Sequence, residues 1–295
     1  MYALRVVDRQ LVDTRADLGT AAERVTEGVL VTGGLEPADE RISWAVTSPG
    51  ARVPINSYLL VEGSDCAIVD TGVPAHEEIL LAALQALAPA MLRAKLVITR
   101  GVELESMGNT TVLLRTQPIE GVWAHFPSPS WFRIDPRFDL DDDGALREAA
   151  TPFHPLRPGE TIPIDPDGER ALEVLEPALR LLQTAWLYDA ATGTLFTSDA
   201  FGHALVGPGA SSRILDESSD DVSLADVEAG LEPKFGWLRE ADVRPTCAAL
   251  AGVFDRIDVQ TICPTVGSVL RGPRLVRRHV DMVLRVLEKW GADGV

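Results

Sequence analysis

Residues 56–72 read NSYLLVEGSDCAIVDTG, and this stretch decides the fold. It contains two apolar runs, at 56–63 and 66–72, whose length and β-branched content are typical of strands. The residues Gly63–Asp65 between them form the tight link of a hairpin. A similar run, GVLVTGG at 28–34, comes before the pair. We therefore predict three strands here, the last two joined as a hairpin.

Helices and strands alternate beyond this stretch. Residues 74–92 predict a helix, because a proline in the first turn and an acidic pair precede apolar residues at i, i+3 and i+4. Further strands are predicted at 96–99, 172–176, 179–188, 194–197 and 258–263, and further helices at 109–116, 239–256 and 273–290. The loop 100–109 is irregular and acidic, and residues 207–223 are polar and flexible. This order predicts an α/β fold, a four-layer αβ/βα sandwich, in one domain over 1–295.

The segment 123–168 interrupts this pattern. It is rich in proline and contains the acidic run DLDDDG at 139–144, so we interpret it as an insertion or a lid. Trp123, His125 and Trp131 lie at its start. The tryptophans either form a ligand lid or a dimer contact, or pack in the core beneath a long loop. His125 either lines the mouth of a pocket or, the commoner case, is a packed or exposed loop residue.

The charge excludes several classes of partner. Lys and Arg number 27 against 44 Asp and Glu, which gives a net charge of −17. Such a surface repels phosphate backbones and anionic membranes, so we expect neither nucleic acid nor a bilayer as a partner. The sequence shows no apolar stretch of membrane-spanning length and no signal peptide. Three cysteines without a CxxC pair favour a reducing cytoplasm.

Four separated strings resemble one known fold. NSYLLVEG with AIVDTG, the loop ending at Gly108-Asn109, TLFTSDAFG at 194–202 and TICPTVG at 261–267 follow the order of the metallo-β-lactamase fold. The Asn-Ser-Tyr-Leu and Asp-Ala-Phe-Gly strings are similar to the di-iron domain of flavodiiron proteins and their stand-alone oxygen-binding relatives. This resemblance implies a dinuclear metal site near these loops and, because family members often form dimers, a homodimer.

The ligand positions implied by the resemblance are changed. The family loop reads His-x-Glu-x-Asp-His-x-Gly, and we align it on Gly108. The positions of the family's ligands are then occupied by Gly101, Glu103, Glu105, Ser106, Arg180, Asp199 and Val266. Three carboxylates remain and no imidazole, whereas each ion of a dinuclear iron or zinc site needs about four good donors.

Three interpretations of this remnant site are open. In the first, Arg100 and Arg180 neutralise the carboxylates as a buried salt-bridge cluster. In the second, the carboxylates hold a single divalent ion such as Fe²⁺, Mn²⁺ or Mg²⁺. In the third, the pocket is reused for an organic ligand. His203, four residues after Asp199, is the histidine best positioned to face the site, while a capping or solvated turn residue is the commoner interpretation of such a histidine.

The remaining candidates have structural interpretations. We expect His76 and His279 at the surface and His154 in a loop. Asp70, in the VDTG string, is interpreted as an architectural residue that holds the backbone of the metal loop. Cys66 and Cys263 lie in strand patterns and are predicted to be buried, unreactive thiols.

Two functions follow as hypotheses. The first is a pseudoenzyme without a metal that acts as a binding or partner protein, with either a protein or a small molecule as its ligand. The second is an atypical single-metal hydrolase or oxygen-linked oxidoreductase that uses Glu103, Glu105 and Asp199. Only a short stretch follows the CPTVG string, so no flavodoxin module is expected and no FMN is held by this chain.

Overall fold

Two seven-stranded sheets form the framework of the protein in a computed structural model. The structure describes residues 21–39, 45–87, 93–101, 103–125, 151–181 and 183–293. The first sheet has its strands in chain order: β1 Ala22–Thr26, β2 Val29–Pro37, β3 Arg52–Glu62, β4 Asp65–Val69, β5 Arg93–Ile98, β6 Ile119–Ala124 and β7 Phe153–Pro155. Strands β1 to β4 pair antiparallel, and β4 to β7 pair parallel.

The second sheet is built from the second half of the chain. Its strands are β8 Thr161–Pro163, β9 Ala171–Leu175, β10 Trp186–Asp189, β11 Thr194–Ser198, β12 Ile214–Asp216, β13 Thr261–Pro264 and β14 Val269–Arg271. They lie in the order β12-β14-β13-β11-β10-β9-β8. Strands β11 and β13 are parallel neighbours, so the turns that follow them leave the sheet side by side.

Helices pack on the sheets. They are α1 Glu77–Leu87, α2 Leu104–Met107, α3 Thr110–Thr116, α4 Leu224–Phe235, α5 Arg244–Arg256 and α6 Pro273–Asp293. Alternate residues of β3 show the layering, because successive strand side chains face opposite ways. Leu59 shares a core cluster with α1, whereas Tyr58 and Leu60 share one with Leu187 and Phe196 of the second sheet. Helices α4, α5 and α6 cover a third cluster with strands of the second sheet.

The predicted α/β class is confirmed. The three strands near 28–72 and their hairpin are present, with Glu62 opposite Asp65 at the hairpin end. Both faces of β3 and β4 are buried, which is why their sequences are nearly continuous apolar runs. Among the described residues, no helix is long and apolar enough to cross a membrane.

Several predicted elements are corrected. The strand expected at 179–188 forms only over Trp186–Asp189. Leu179 and Leu181, which precede it, do not belong to a strand. They pack in the core cluster between the second sheet and its helices, and this accounts for the apolar pattern. The loop expected at 100–109 contains α2, and the stretch 207–223 contains β12. The helix expected at 239–256 begins only at Arg244.

Helix α4 and the ends of the 123–168 segment were not anticipated as regular structure. Helix α4 precedes α5 and carries a proline, Pro233, in its last turn. Of the 123–168 segment, residues 126–150 lie outside the described ranges. Its later part forms β7, at one edge of the first sheet, and β8, at one edge of the second.

Strand β3 is tied to the turn after β13. Asn56 donates from Nδ2 to the carbonyl of Pro264 at 2.9 Å and to that of Gly267 at 2.7 Å. The hydroxyl of Tyr58 also donates to the carbonyl of Pro264. These bonds cross from one sheet to the other and are buried, so they hold the two sheets in register at this end of the molecule.

Replacing this amide tests that tie. Asn56→Ala leaves the buried carbonyl of Gly267 without its side-chain donor, and we expect the free energy of unfolding to fall by about 2 kcal/mol. Ser57→Ala is the matched control, because the buried Ser57 hydroxyl has no hydrogen-bond partner among the described residues. We expect its loss to stay below about 0.5 kcal/mol. Equal losses in urea unfolding of the two variants would contradict this assignment.

Candidate functional site

Asp199 lies in a tight turn directly after β11. The residue before it, Ser198, and the residue two positions after it, Phe201, both have left-handed backbone conformations, with φ of 53° and 65°. Gly202 completes the turn. The residue there has to be glycine, because a Cβ would lie 2.2 Å from the carbonyl oxygen of Val266. Backbone strain of this kind in non-glycine residues concentrates at functional sites, so the turn is a candidate site.

The carboxylate of Asp199 is surrounded by cationic and polar donors. Arg100 donates from Nη1 to Oδ1 of Asp199, and Nζ of Lys234 lies 3.8 Å from the same oxygen. The hydroxyl of Thr184 donates to Oδ2 at 3.5 Å. Asp199, Arg100 and Lys234 are each at least 94% buried, with exposed fractions of 4%, 5% and 6%. This is a buried ion cluster rather than a solvated surface pair.

Glu103 extends the cluster toward solvent. Its Oε1 accepts from Nη2 of Arg100 at 3.2 Å, and its side chain is 22% exposed. Burial raises the pKa of Glu103, opposed by Arg100, and the neighbouring negative charge of Glu105 raises it further. Burial lowers the pKa of Lys234, while Asp199 opposes that change. The cluster therefore brings two cations together with the carboxylates of Asp199 and Glu103, and Glu105 is near enough for its charge to act on Glu103 and Lys234.

These residues do not fit the dinuclear iron site that the fold family implies. An ion at Asp199 would lie against the guanidinium of Arg100 and the ammonium of Lys234, and like charges at such distances repel strongly away from water. Ser106 is buried, and Val266 packs in a small apolar cluster with Val53. Within the described ranges, no group of three or more His, Cys, Asp or Glu side chains is placed to hold a metal.

Arg180 is not part of the cluster, which corrects its expected role. It is exposed and pairs with Glu176 at 2.6 Å, and both side chains are more than half exposed. The expected strand begins only at Trp186, so Arg180 lies in the loop before it and its side chain is at the surface. Lys234 supplies the second cation instead.

Lys234 was missed because α4 was missed. A sequence signal for this helix does exist, since Ser223 and Asp226 form a reciprocal capping box at its N-terminus. The last turn of α4 then delivers Lys234, whose Nζ donates to the backbone carbonyl of Asp199 at 3.4 Å. This contact joins positions 35 residues apart, a distance that local patterning does not reach.

His203 has a different partner from the one expected. Its Nε2 lies 2.8 Å from Nδ1 of His279 on α6, and the two rings are stacked with centroids 5.1 Å apart. His279 was expected at the surface, yet it is fully buried on the inner side of α6. Its Nε2 lies 3.4 Å from Oδ1 of the buried Asp220. Burial lowers the pKa of His203 to about 3 and also lowers the pKa of His279.

Two further histidines were also placed wrongly from the sequence. His76 is buried, and its Nε2 lies 2.7 Å from Glu36, while its Nδ1 accepts from the backbone N–H of Gly34. His154 lies in β7 rather than in a loop, and its ring stacks on Trp123 with centroids 4.5 Å apart. Both histidines have structural roles.

The other candidates at the start of the 123–168 segment are only partly placed. His125 follows β6 and is half-buried, and its Nε2 has no hydrogen-bond partner among the described residues. Trp123 lies in β6 and packs against the core between the sheets. Trp131 lies outside the described residues.

Asp70 supports the strand end from which Arg100 comes. Its carboxylate accepts from the backbone N–H of Thr99 at 2.8 Å and from the hydroxyls of Thr99 and Thr265. Asp70 itself has φ of 56°, and burial raises its pKa to about 7. Because Thr99 directly precedes Arg100, these bonds fix the backbone that aims the guanidinium at Asp199. Cys66 and Cys263 are buried, and burial raises the pKa of both thiols.

Solved structures of flavodiiron proteins share this fold. The rubredoxin oxygen:oxidoreductase from the anaerobe Desulfovibrio gigas is 15% identical with a TM-score of 0.63, and the match covers 90% of this chain and 61% of that one. The flavodiiron protein from Giardia intestinalis is 16% identical with a TM-score of 0.62, covering 92% and 59%. A fragment of a putative diflavin flavoprotein from Nostoc sp. is 17% identical with a TM-score of 0.60, covering 92% and 95%.

These similarities establish the fold. The resemblance to the metallo-β-lactamase-like domain of flavodiiron proteins is thereby confirmed at the level of structure. The chain spans about three fifths of the length of the Desulfovibrio gigas and Giardia intestinalis proteins. No protein-family model matches the sequence, and no curated protein matches it.

The buried histidine pair predicts a pH dependence of stability. The folded-state pKa of His203 lies below the ordinary value of 6.5, so below pH 6.5 the unfolded chain binds a proton that the folded chain excludes. Stability is then lost as pH falls from 6.5 toward 3, by about 1.4 kcal/mol per pH unit for each histidine that stays neutral. Asp70, whose pKa is raised to about 7, acts in the opposite direction over this window, because its folded form takes up a proton that the unfolded form does not. The histidine contribution is therefore measured as the difference in slope between the parent protein and a histidine variant, in urea unfolding between pH 6.5 and 5.

Two variants identify the source of the slope. His203→Gln removes one of the two neutral imidazoles, so we expect its stability to change less with pH over the same window. His154→Gln, a partly buried histidine on the edge strand β7, is the control and should keep the slope of the parent protein. An unchanged slope in His203→Gln would show that the pair is not responsible.

Proposed function

We propose that this chain is a pseudoenzyme on the metallo-β-lactamase fold, a four-layer αβ/βα sandwich in one domain, that works as a binding protein without a metal. The observation that carries the proposal is the carboxylate of Asp199 held between Arg100 and Lys234. The flavodiiron-like fold suggests a di-iron oxidoreductase-type domain, and it is this ion cluster that argues against iron chemistry in this chain.

The two cations meet the electrostatic need that a metal would otherwise meet. Carboxylates packed together in a buried site repel one another and are costly unless positive charge neutralises them. Arg100 and Lys234 supply that charge from two fixed side chains. Such cations change no oxidation state and offer no open coordination position, so they stabilise the fold without Lewis-acid or redox chemistry.

The proposed role is recognition of a protein or a small ligand. The turn around Asp199 and the short helix α2 after Glu103 form the surface on which we propose that a ligand binds. We propose no cofactor for the chain itself, and the homodimer stays a prediction of the resemblance. The alternative, a single-metal hydrolase or oxygen-linked oxidoreductase, requires Asp199 to be free of both cations.

Removing the charge of Asp199 tests the proposal. Asp199→Asn leaves the buried Lys234 without a carboxylate partner and Arg100 with only the partly exposed Glu103, and we expect the free energy of unfolding to fall by about 3–5 kcal/mol. Glu103→Gln is the control, because that carboxylate is partly exposed and should cost below about 1 kcal/mol. If the carboxylates formed an empty metal site instead, Asp199→Asn would raise the free energy of unfolding, because neutralising one carboxylate relieves the repulsion among them.

A double-mutant cycle separates charge pairing from general disruption. Adding Lys234→Met to Asp199→Asn removes one of the stranded cations, so the double variant should be at least about 1 kcal/mol more stable than the sum of the single losses predicts. Additive losses would contradict the pairing. A raised unfolding midpoint of the parent protein in about 1 mM Mn²⁺ would contradict the metal-free proposal, because a bound ion stabilises the folded state.

A further inference from the structure

The outer face of α6 carries a basic strip on an otherwise acidic protein. Its inner face is buried against the second sheet and its helices through Val276, Val280, Val283 and Leu287. Four arginines follow the opposite side of this helix, and one acidic residue, Asp281, lies among them; the arginines are Arg274, Arg277, Arg278 and Arg285. The net charge of the whole chain is −17, so this concentration of positive charge stands out.

These arginines line a groove between α6 and the first turn of α4. The groove has a volume of about 400 Å³. Its lining also includes Leu224, which is 41% exposed, the buried Met282, and one carboxylate, that of Asp281. An exposed leucine beside arginines gives the groove both an apolar contact and positive charge, which are the two components of a recognition site for a short peptide.

Two of the arginines are held by the protein itself, and two are free to bind. Arg274 pairs with Glu217, and Arg278 pairs with Asp220 and donates to the carbonyl of Val222 at 2.7 Å. Arg277 and Arg285 are exposed and form no ion pair with any residue in the described part of the chain. They are available to a carboxylate in a bidentate fork.

We propose that this groove binds an acidic peptide segment of a partner protein. Arg277 and Arg285 are eight residues apart, which is about 12 Å along a helix axis. An extended peptide covers that length in about four residues. The segment therefore presents two carboxylates about four positions apart to these arginines. An apolar side chain between them packs on Leu224, so that no peptide carboxylate lies opposite Asp281, midway between the two arginines.

The other polyanionic partners fit this surface less well. A helix that binds bilayers needs an exposed apolar face, and that face of α6 is buried in the core. Nucleic acid would meet only two unpaired arginines, and the remaining surface would repel it. The groove shares no residue with the Asp199 cluster. A failure of the peptide-binding test would therefore leave the proposal of a metal-free site unchanged, and the reverse also holds.

The test is a titration followed by fluorescence anisotropy, with the full chain and a labelled peptide Ser-Glu-Ser-Leu-Ser-Glu-Ser. We expect saturable binding that weakens when salt is raised from about 50 to 500 mM. The double variant Arg277→Glu/Arg285→Glu should weaken binding at least about tenfold. Leu224→Ser should weaken it about threefold or more without any change of charge.

The matched control is Arg157→Glu/Arg256→Glu, which makes the same change of net charge at exposed arginines elsewhere. We expect its affinity for the peptide to stay within about twofold of the parent protein. Circular dichroism of every variant checks that the fold is retained.

Four outcomes would overturn the proposal. They are an absence of saturation by about 1 mM peptide, equal weakening in the two double variants, and equal binding of a peptide with lysine in place of glutamate. In the fourth, the parent protein binds phosphatidylserine vesicles or self-associates in sedimentation. The variant Arg277→Glu/Arg285→Glu then loses that property but still binds the peptide. Either form of that result would assign the groove to a bilayer or to a second copy of this chain.

Discussion

The carboxylate of Asp199 needs positive charge beside it, and the structure around it is arranged to supply that charge. Arg100 comes from the end of β5 and Lys234 from the last turn of α4, so the pairing ties the first sheet to the helices on the second. Asp70 fixes the approach of Arg100 through Thr99 and Thr265. A buried charge left without its partner is strongly destabilising, so these elements hold their positions together.

If the chain binds no metal, as we propose, this arrangement supplies the positive charge that its carboxylates need. In the proposed pseudoenzyme, Arg100 and Lys234 neutralise the carboxylates permanently, and Glu103 carries the cluster to the surface. The fold is shared with flavodiiron proteins, while identities of 15–17% carry no information on activity. The chemistry of this site therefore has to be argued from its own side chains, and our proposal of a binding protein rests on their ion pairs.

Much of the fold could be predicted because local pattern determines it. The strands near 28–72 and helix α6 follow from apolar runs and helical periodicity. The site was only partly predictable. Asp199, Glu103 and Arg100 came from the resemblance and from charge pairing, whereas Lys234 required a contact across 35 residues from an unrecognised helix. His203 and His279 pair across 76 residues, and one-dimensional patterning contains no information about such a contact.

The most direct test of the central claim is metal content by mass spectrometry. Untagged protein would be purified without chelator, offered Fe²⁺, Mn²⁺ and Zn²⁺ without oxygen, and desalted. We expect well below one ion per chain, because Arg100 and Lys234 already neutralise Asp199. A value near one or two ions per chain, lost in Glu103→Gln/Asp199→Asn, would contradict the account and assign metal chemistry to this site.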